Sequence, residues 1–317
     1  MLCGLLQLAL YRGRGHSAGS AMQGSRLSGR SAWLGTNFVL PRVFRVKKSI
    51  VYTLAVVFLF VGLASRASGT CTNPNSILHA TYGWEGHAMG AAAFNTQGSK
   101  IGAFVPFVHF GHFTFDGNGN FSGAHDTNFG GGLLPHIDSG TYSVNSDCTT
   151  GTISFATGGG IRLSIVITSG GQEIKFVGAN TGFVESGTLR LMAASCSASI
   201  LSGNSYGYST DGLVAAGGSS SFPRVGGFVP FAHGGQISFG ADGSISGVDN
   251  ASFGGVLMPG QPVSGTYSVN SDCTGTTTMT IAGVDNSWHF VILQDAGQII
   301  FVVTPTGYVW AGTLTKF

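Results

Sequence analysis

Apolar and polar residues alternate with a period of two in short stretches beyond residue 70, cut by glycine, asparagine and aspartate. Val105, Phe107, His109, Gly111, Phe113 and Phe115 share one phase, and Val108, Phe110, His112 and Thr114 the other. Successive side chains of a strand point to opposite faces, so this pattern predicts a strand with one apolar face turned inward. The same reading predicts strands near 77–87, 101–115, 119–130, 137–145, 150–156, 160–168, 172–179 and 182–191. Turn signals separate them at Asp116-Gly-Asn-Gly, Asn145-Ser-Asp-Cys, Gly158-Gly-Gly and Ser169-Gly-Gly, where glycine and asparagine supply positive φ. No long helical pattern intervenes, which excludes parallel crossover units. Consecutive strands with short turns predict an up-and-down antiparallel sheet, and closure into a barrel removes its exposed edges.

The pattern occurs twice. Gly140–Thr149 is repeated letter for letter at Gly265–Thr274. Phe104-Val-Pro-Phe returns as Phe228-Val-Pro-Phe, and Phe129-Gly-Gly as Phe253-Gly-Gly. An offset of about 125 residues is too long for a solenoid repeat and suits two complete domains. The fold class predicted is therefore all-β, two tandem barrels of about eight strands each. Residues 68–192 form copy one and 193–317 copy two, joined by a link near Ala193–Ser195 too short for free motion. The inward phase of copy one also holds Tyr82, Trp84, Tyr142, Leu163, Phe176 and Phe183; a bulge at Pro106 or Pro230 would shift that phase.

Tyr82-Gly, Phe115–Gly123 and Gly140–Thr149, followed by a strand-rich tail, resemble a secreted repeat domain of uncharacterised bacterial proteins. Its strand plan is similar to allene-oxide-cyclase-like, calycin-type β-barrels. The resemblance spans both copies. It rests on turn and packing motifs, so it implies a fold; no catalytic residue of that family is matched.

Charge changes the picture at the leader. Nine of the fifteen lysines and arginines lie in residues 1–67, which hold no acidic residue. From residue 68 onward six basic residues face thirteen acidic ones, a net charge of −7. Such a body offers no basic face for nucleic acid. Arg42, Arg45, Lys47 and Lys48 precede an uncharged apolar run from Ile50 to Ala64 and then small residues, which predicts a signal peptide over 46–67 with cleavage after Ala67 or Ala64. Residues 1–45 read as a leader ahead of the true start, and no stable membrane insertion is predicted after cleavage. The predicted location is secreted or in the cell envelope. Cys71, Cys148, Cys196 and Cys273 stand two per copy at matching places, which favours one disulfide inside each copy.

Candidate chemistry is sparse. His109 and His233 are matched between the copies on the inward phase. His125 and Glu185 share that phase in copy one, where copy two has Asp249 and Trp310. His109, His125 and Glu185, with Tyr82 and Trp84 on the same phase, are the candidate ligand-binding residues of copy one, and His233 is the candidate of copy two. The plainer alternative is a core histidine and carboxylates standing in water at the barrel mouth. His109 and His112 lie three apart on a strand and cannot chelate one ion, so no metal site is predicted. No nucleophile elbow, phosphate loop or cofactor motif is present, and no cofactor is predicted. The sequence thus points to an exported non-catalytic protein binding a small apolar ligand or an extracellular partner. The alternatives are a cyclase or isomerase using the interior histidine and carboxylate of copy one, and a purely structural or adhesive component.

Overall fold

The structure, a computed structural model, describes residues 71–91, 104–157, 160–180, 182–215 and 227–317. The predicted leader and signal peptide, part of the Gly158 turn and the start of the second predicted strand lie outside these residues. Eight strands form the first barrel: β1 (Thr81–Ala91), β2 (Phe104–Phe115), β3 (Asn120–Phe129), β4 (Gly132–Val144), β5 (Thr150–Phe155), β6 (Arg162–Thr168), β7 (Glu173–Gly178) and β8 (Phe183–Leu191). The second comprises β9 (Ser205–Ala215), β10 (Phe228–Phe239), β11 (Ser244–Phe253), β12 (Val256–Val269), β13 (Thr274–Ile281), β14 (Val284–Ile292), β15 (Gln298–Val303) and β16 (Tyr308–Lys316). Each set is a closed antiparallel barrel in which every strand pairs with its neighbours in sequence and the last pairs with the first. Among the described residues no helix is long and apolar enough to cross a membrane.

The repeated motifs are the corners of this design. Gly130 and Gly131 adopt φ of 57° and 91°, and Gly254 and Gly255 φ of 54° and 88°. Two successive positive φ values make the tight hairpin turn whose twist matches the flanking strands, which is why Phe-Gly-Gly recurs. The repeated Asn-Ser-Asp-Cys turn places Cys148 and Cys273 at φ of 54° and 68°. Asp147 and Asp272 hold it by accepting hydrogen bonds from the backbone amides of Thr149 and Thr274. The Asp116 carboxylate accepts from the Asn120 side-chain amide and from the backbone amides of Asn120 and Asn118, and these bonds hold its pKa down at about 2.

One end of each barrel is closed by the segment leading into it. A 3₁₀ turn, Pro74–Ile77 or Ala198–Ile200, feeds Leu78 or Leu201 into the core with no exposed surface. Disulfides Cys71–Cys148 and Cys196–Cys273 tie each lead-in to its own barrel. The Tyr142 hydroxyl donates to the carbonyl of Leu78 (2.9 Å), and that of Tyr82 to the carbonyl of Gly171 (2.6 Å). The opposite end of barrel 1 is therefore its mouth.

Three strand boundaries depart from the sequence reading, one of them the end of the first strand, which runs to Ala91 opposite Phe104 and not to 87. The first strand begins at Thr81, not near 77, because Pro74 and the lead-in turn occupy that stretch. The fourth begins at Gly132, not near 137, because the Gly130–Gly131 turn is only two residues long. No bulge occurs at either proline: the ladder runs through Met89↔Pro106 and Leu213↔Pro230 without a shift.

The second phase of β2 is not a solvent face at Val108 and Phe110. Val108 (3% exposed) and Phe110 (4%) join the core of barrel 2, beside Val291, Ile300, Val302 and Val309 on the outer face of β14–β16. A Cβ on Gly83 would meet Leu293 at 2.9 Å and Val291 at 3.0 Å, so a bare strand lets the barrels close. Asn128 donates to the carbonyls of Val303 (3.2 Å) and Tyr308 (2.6 Å), and the Gly307 amide to that of Gly131 (2.8 Å). His289 donates to Asp126 across the same seam (2.7 Å). Met192 bridges to Leu293 near the closed ends, so the barrels lie side by side with both mouths on one side.

Candidate functional site

The interior of barrel 1 carries a polar cluster around His109. His109 on β2 faces Gly86 on β1 and Thr127 on β3. Glu185 on β8 faces Ala88. Gly86 is the condition for their meeting: a Cβ there would stand 3.0 Å from Glu185 Oε1 and 3.1 Å from the Phe176 ring. His109 Nδ1 donates to Glu185 Oε1 at 2.8 Å, and the side chains are 8% and 4% exposed. This is a buried charge-assisted pair, not a carboxylate standing in water at the rim.

His125 lies next to it, its ring centroid 5.3 Å from that of His109. Its Nδ1 is 2.9 Å from Asp138 Oδ2, but it makes no aligned hydrogen bond. Burial pushes His125 down to about 3, with help from the positive fields of His109 and His136. Burial raises the carboxyl of Asp138, which accepts a hydrogen bond from the Thr157 hydroxyl. Both partners are thus driven toward their uncharged forms. Trp84 packs against both imidazoles, 4.7 Å from His109 and 5.0 Å from His125, and its Nε1 makes no hydrogen bond.

The structure therefore brings together His109, His125, Glu185 and Trp84. It does not bring in Tyr82, whose hydroxyl is bound to Gly171 at the closed end and whose pKa burial raises to about 12. Asp138 belongs to the cluster although the sequence analysis passed over it. It is four residues before Tyr142 and thus on the same inward phase, which was a readable signal.

Above the His109–Glu185 pair, at the mouth, is a cavity of about 70 Å³. His109, Thr127 and Glu185 form its polar side, Phe107, Phe129 and Phe183 its apolar side, and Arg162 its rim. In barrel 2 the matching level is closed. His233 Nδ1 donates to Asp249 Oδ2 (2.7 Å), and the Tyr208 hydroxyl donates to Asp249 Oδ1 (2.6 Å). Burial and that bond raise the Tyr208 pKa. Trp310, at the position of Glu185, stacks on His233 with centroids 4.6 Å apart and donates to the Thr210 hydroxyl (2.9 Å). Trp288 and Val303 stand where barrel 1 has Leu163 and Gly178, so three larger side chains fill the space.

No family model matches the chain, and no curated protein is significantly similar to it. Among solved structures it is similar to the isotype 1 transferrin binding protein B from serogroup B Neisseria meningitidis, at 10% identity and a TM-score of 0.29. That match covers 72% of this chain and 55% of the other, so the chain spans about half the length of that protein. A protein of unknown function from the DUF3598 family of Nostoc punctiforme matches at 8% identity and TM-score 0.19, covering 78% of this chain and 98% of the other. The Myxococcus xanthus hemagglutinin matches at 13% identity and TM-score 0.16, covering 73% and 99%. These overlaps are too slight to carry a functional argument; what stands on its own geometry is a tandem pair of eight-stranded barrels.

Proposed function

We propose that this is an exported, non-catalytic binding protein whose ligand end is the mouth of barrel 1. One observation carries the reading: two copies of one domain have diverged at the same level, one keeping a cavity over a buried His109–Glu185 pair, the other filling it with Trp288, Val303 and Trp310. A buried ionisable pair is a weak source of stability. Barrel 2 keeps such a pair too, His233–Asp249, but ties it to Tyr208 and covers it with Trp310; in barrel 1 the pair faces a cavity, which supports a role in holding a ligand. Two intramolecular disulfides support an oxidising location.

A thermal-shift screen of small alcohols, amides and acids against residues 68–317 tests the reading. Compounds that stabilise the protein should lose their effect in Glu185→Trp, which copies barrel 2. An unchanged response in that variant would remove barrel 1 as the ligand end.

The His109–Glu185 pair lines the cavity directly, and this favours a second reading, proton transfer to a bound substrate by an acid–base pair. Conversion of a stabilising compound, lost in Glu185→Gln with binding kept, would establish it in place of simple binding.

A further inference from the structure

The cavity over His109 and Glu185 has an apolar neighbour. A groove of about 790 Å³ runs along the seam between the barrels. Its walls include Met89, Val108 and Val184 of barrel 1 and Leu213, Pro230 and Val309 of barrel 2. Groove and cavity have Phe107, Gly178, Phe183 and Glu185 in common. The β7–β8 ladder stops at Val177↔Ser186, one residue before Gly178 and Glu185. A Cβ on Gly178 would stand 3.3 Å from that of Glu185, so little but backbone divides the two spaces there. In barrel 2 the matching positions carry Val303 and Trp310, which close that junction.

We propose that groove and cavity form one site for a single-chain amphiphile with an uncharged hydroxyl head. The head lies at His109 and Glu185, and the chain lies in the groove. This rests on the reading of barrel 1 as the ligand end. The polarity of the two spaces selects the ligand. An apolar channel binds an alkyl chain in proportion to the area it covers. Glu185 has one oxygen bonded to His109, and its carboxylate accepts a further donor, which a hydroxyl supplies at low desolvation cost. A carboxylate head offers no hydrogen and meets like charge at Glu185. The titratable groups lining the groove besides Glu185 are His87 and Asp211.

Calorimetric titration of residues 68–317 with butanol, hexanol, octanol and decanol, and with carboxylates of equal length, tests this. Alcohol affinity should rise about threefold to fourfold per added methylene. Decanol should bind at least tenfold more tightly than decanoate. Gly178→Val and Val184→Asp should each weaken decanol at least tenfold, while Val166→Asp, on an outer strand away from the groove, should not. Val184 is 67% exposed, so its variant reports on the groove even where Gly178→Val disturbs the fold. Butanol binding that Glu185→Trp abolishes, with no gain in affinity on lengthening the chain, would overturn the groove and leave the mouth reading standing. No alcohol binding at all would overturn both. Tighter binding of decanoate would move the head to Arg162 and overturn the hydroxyl assignment. Self-association that covers the groove and resists decanol would give it to a second copy of the chain.

Discussion

Glu185 depends on a single short bond. Its carboxylate is buried, and His109 satisfies one oxygen at 2.8 Å. Replacing His109 with leucine leaves that charge uncompensated, which costs about 3 kcal/mol in comparable buried pairs. Urea unfolding should show this loss, and His109→Leu/Glu185→Leu together should recover most of it. Recovery would separate the cost of an orphaned charge from that of lost packing. His125 makes a pH prediction. Its folded pKa of about 3 lies below the unfolded value of 6.5, so between these values the unfolded chain binds more protons. Stability should therefore fall as pH drops from 6.5 toward 3. The raised carboxyl of Asp138 works in the opposite sense at the acid end of that window, because there the folded state holds the proton. His125→Phe should flatten the slope, read from unfolding curves at successive pH values; an unaltered slope would mean that other groups cause it.

The lead-in segments show what a strand pattern does not reveal. Each disulfide closes a loop of 77 residues in sequence separation. In the chain-entropy model, opening a loop of that length costs about 4 kcal/mol. Cys71→Ser/Cys148→Ser should therefore melt barrel 1 at a distinctly lower temperature, and barrel 2 should lose stability with it because Val108 and Phe110 are part of its core, as calorimetry would show. Barrel closure, strand order and inward faces were legible in the sequence because period-two alternation and two-residue turns are local. The copies also diagnosed each other: Glu185 against Trp310 marked the level where the interiors differ. The start of β1 was misplaced because Ile77 and Leu78 continue the apolar pattern while Pro74 and the disulfide hold them in a turn beneath the barrel. The Asp138 contact and the Tyr208–Asp249 bond were missed because partners across a barrel are set by its closure, which a local pattern does not encode. The burial of Val108 and Phe110 was hidden for a related reason, since only the second barrel makes that face interior.

The two copies have specialised on their outer surfaces as well. Barrel 1 presents Val108 and Phe110 on β2, where barrel 2 has Ala232 and Gly234 at the matching places. Barrel 2 presents Val291, Ile300 and Val302 on β14 and β15, and barrel 1 has Val166, Lys175 and Val177 there. The faces used in the seam are apolar, and the matching free faces carry more small and polar residues. Residues 196–317 expressed alone would expose Val291, Ile300 and Val302 to water. That fragment should aggregate or self-associate in sedimentation, and Phe110→Asp in the full chain should loosen the seam in the same way. A soluble, monomeric fragment would show that the seam is not needed for the second barrel to fold.

The central claim is that only barrel 1 keeps a ligand end, over His109 and Glu185. Crystals of residues 68–317 soaked in a short-chain alcohol test it most directly. The account predicts the alcohol in the mouth of barrel 1, its hydroxyl within hydrogen-bond reach of Glu185, and none inside barrel 2. An alcohol bound beside His233 and Trp310, with the mouth of barrel 1 unoccupied by it, would contradict the account.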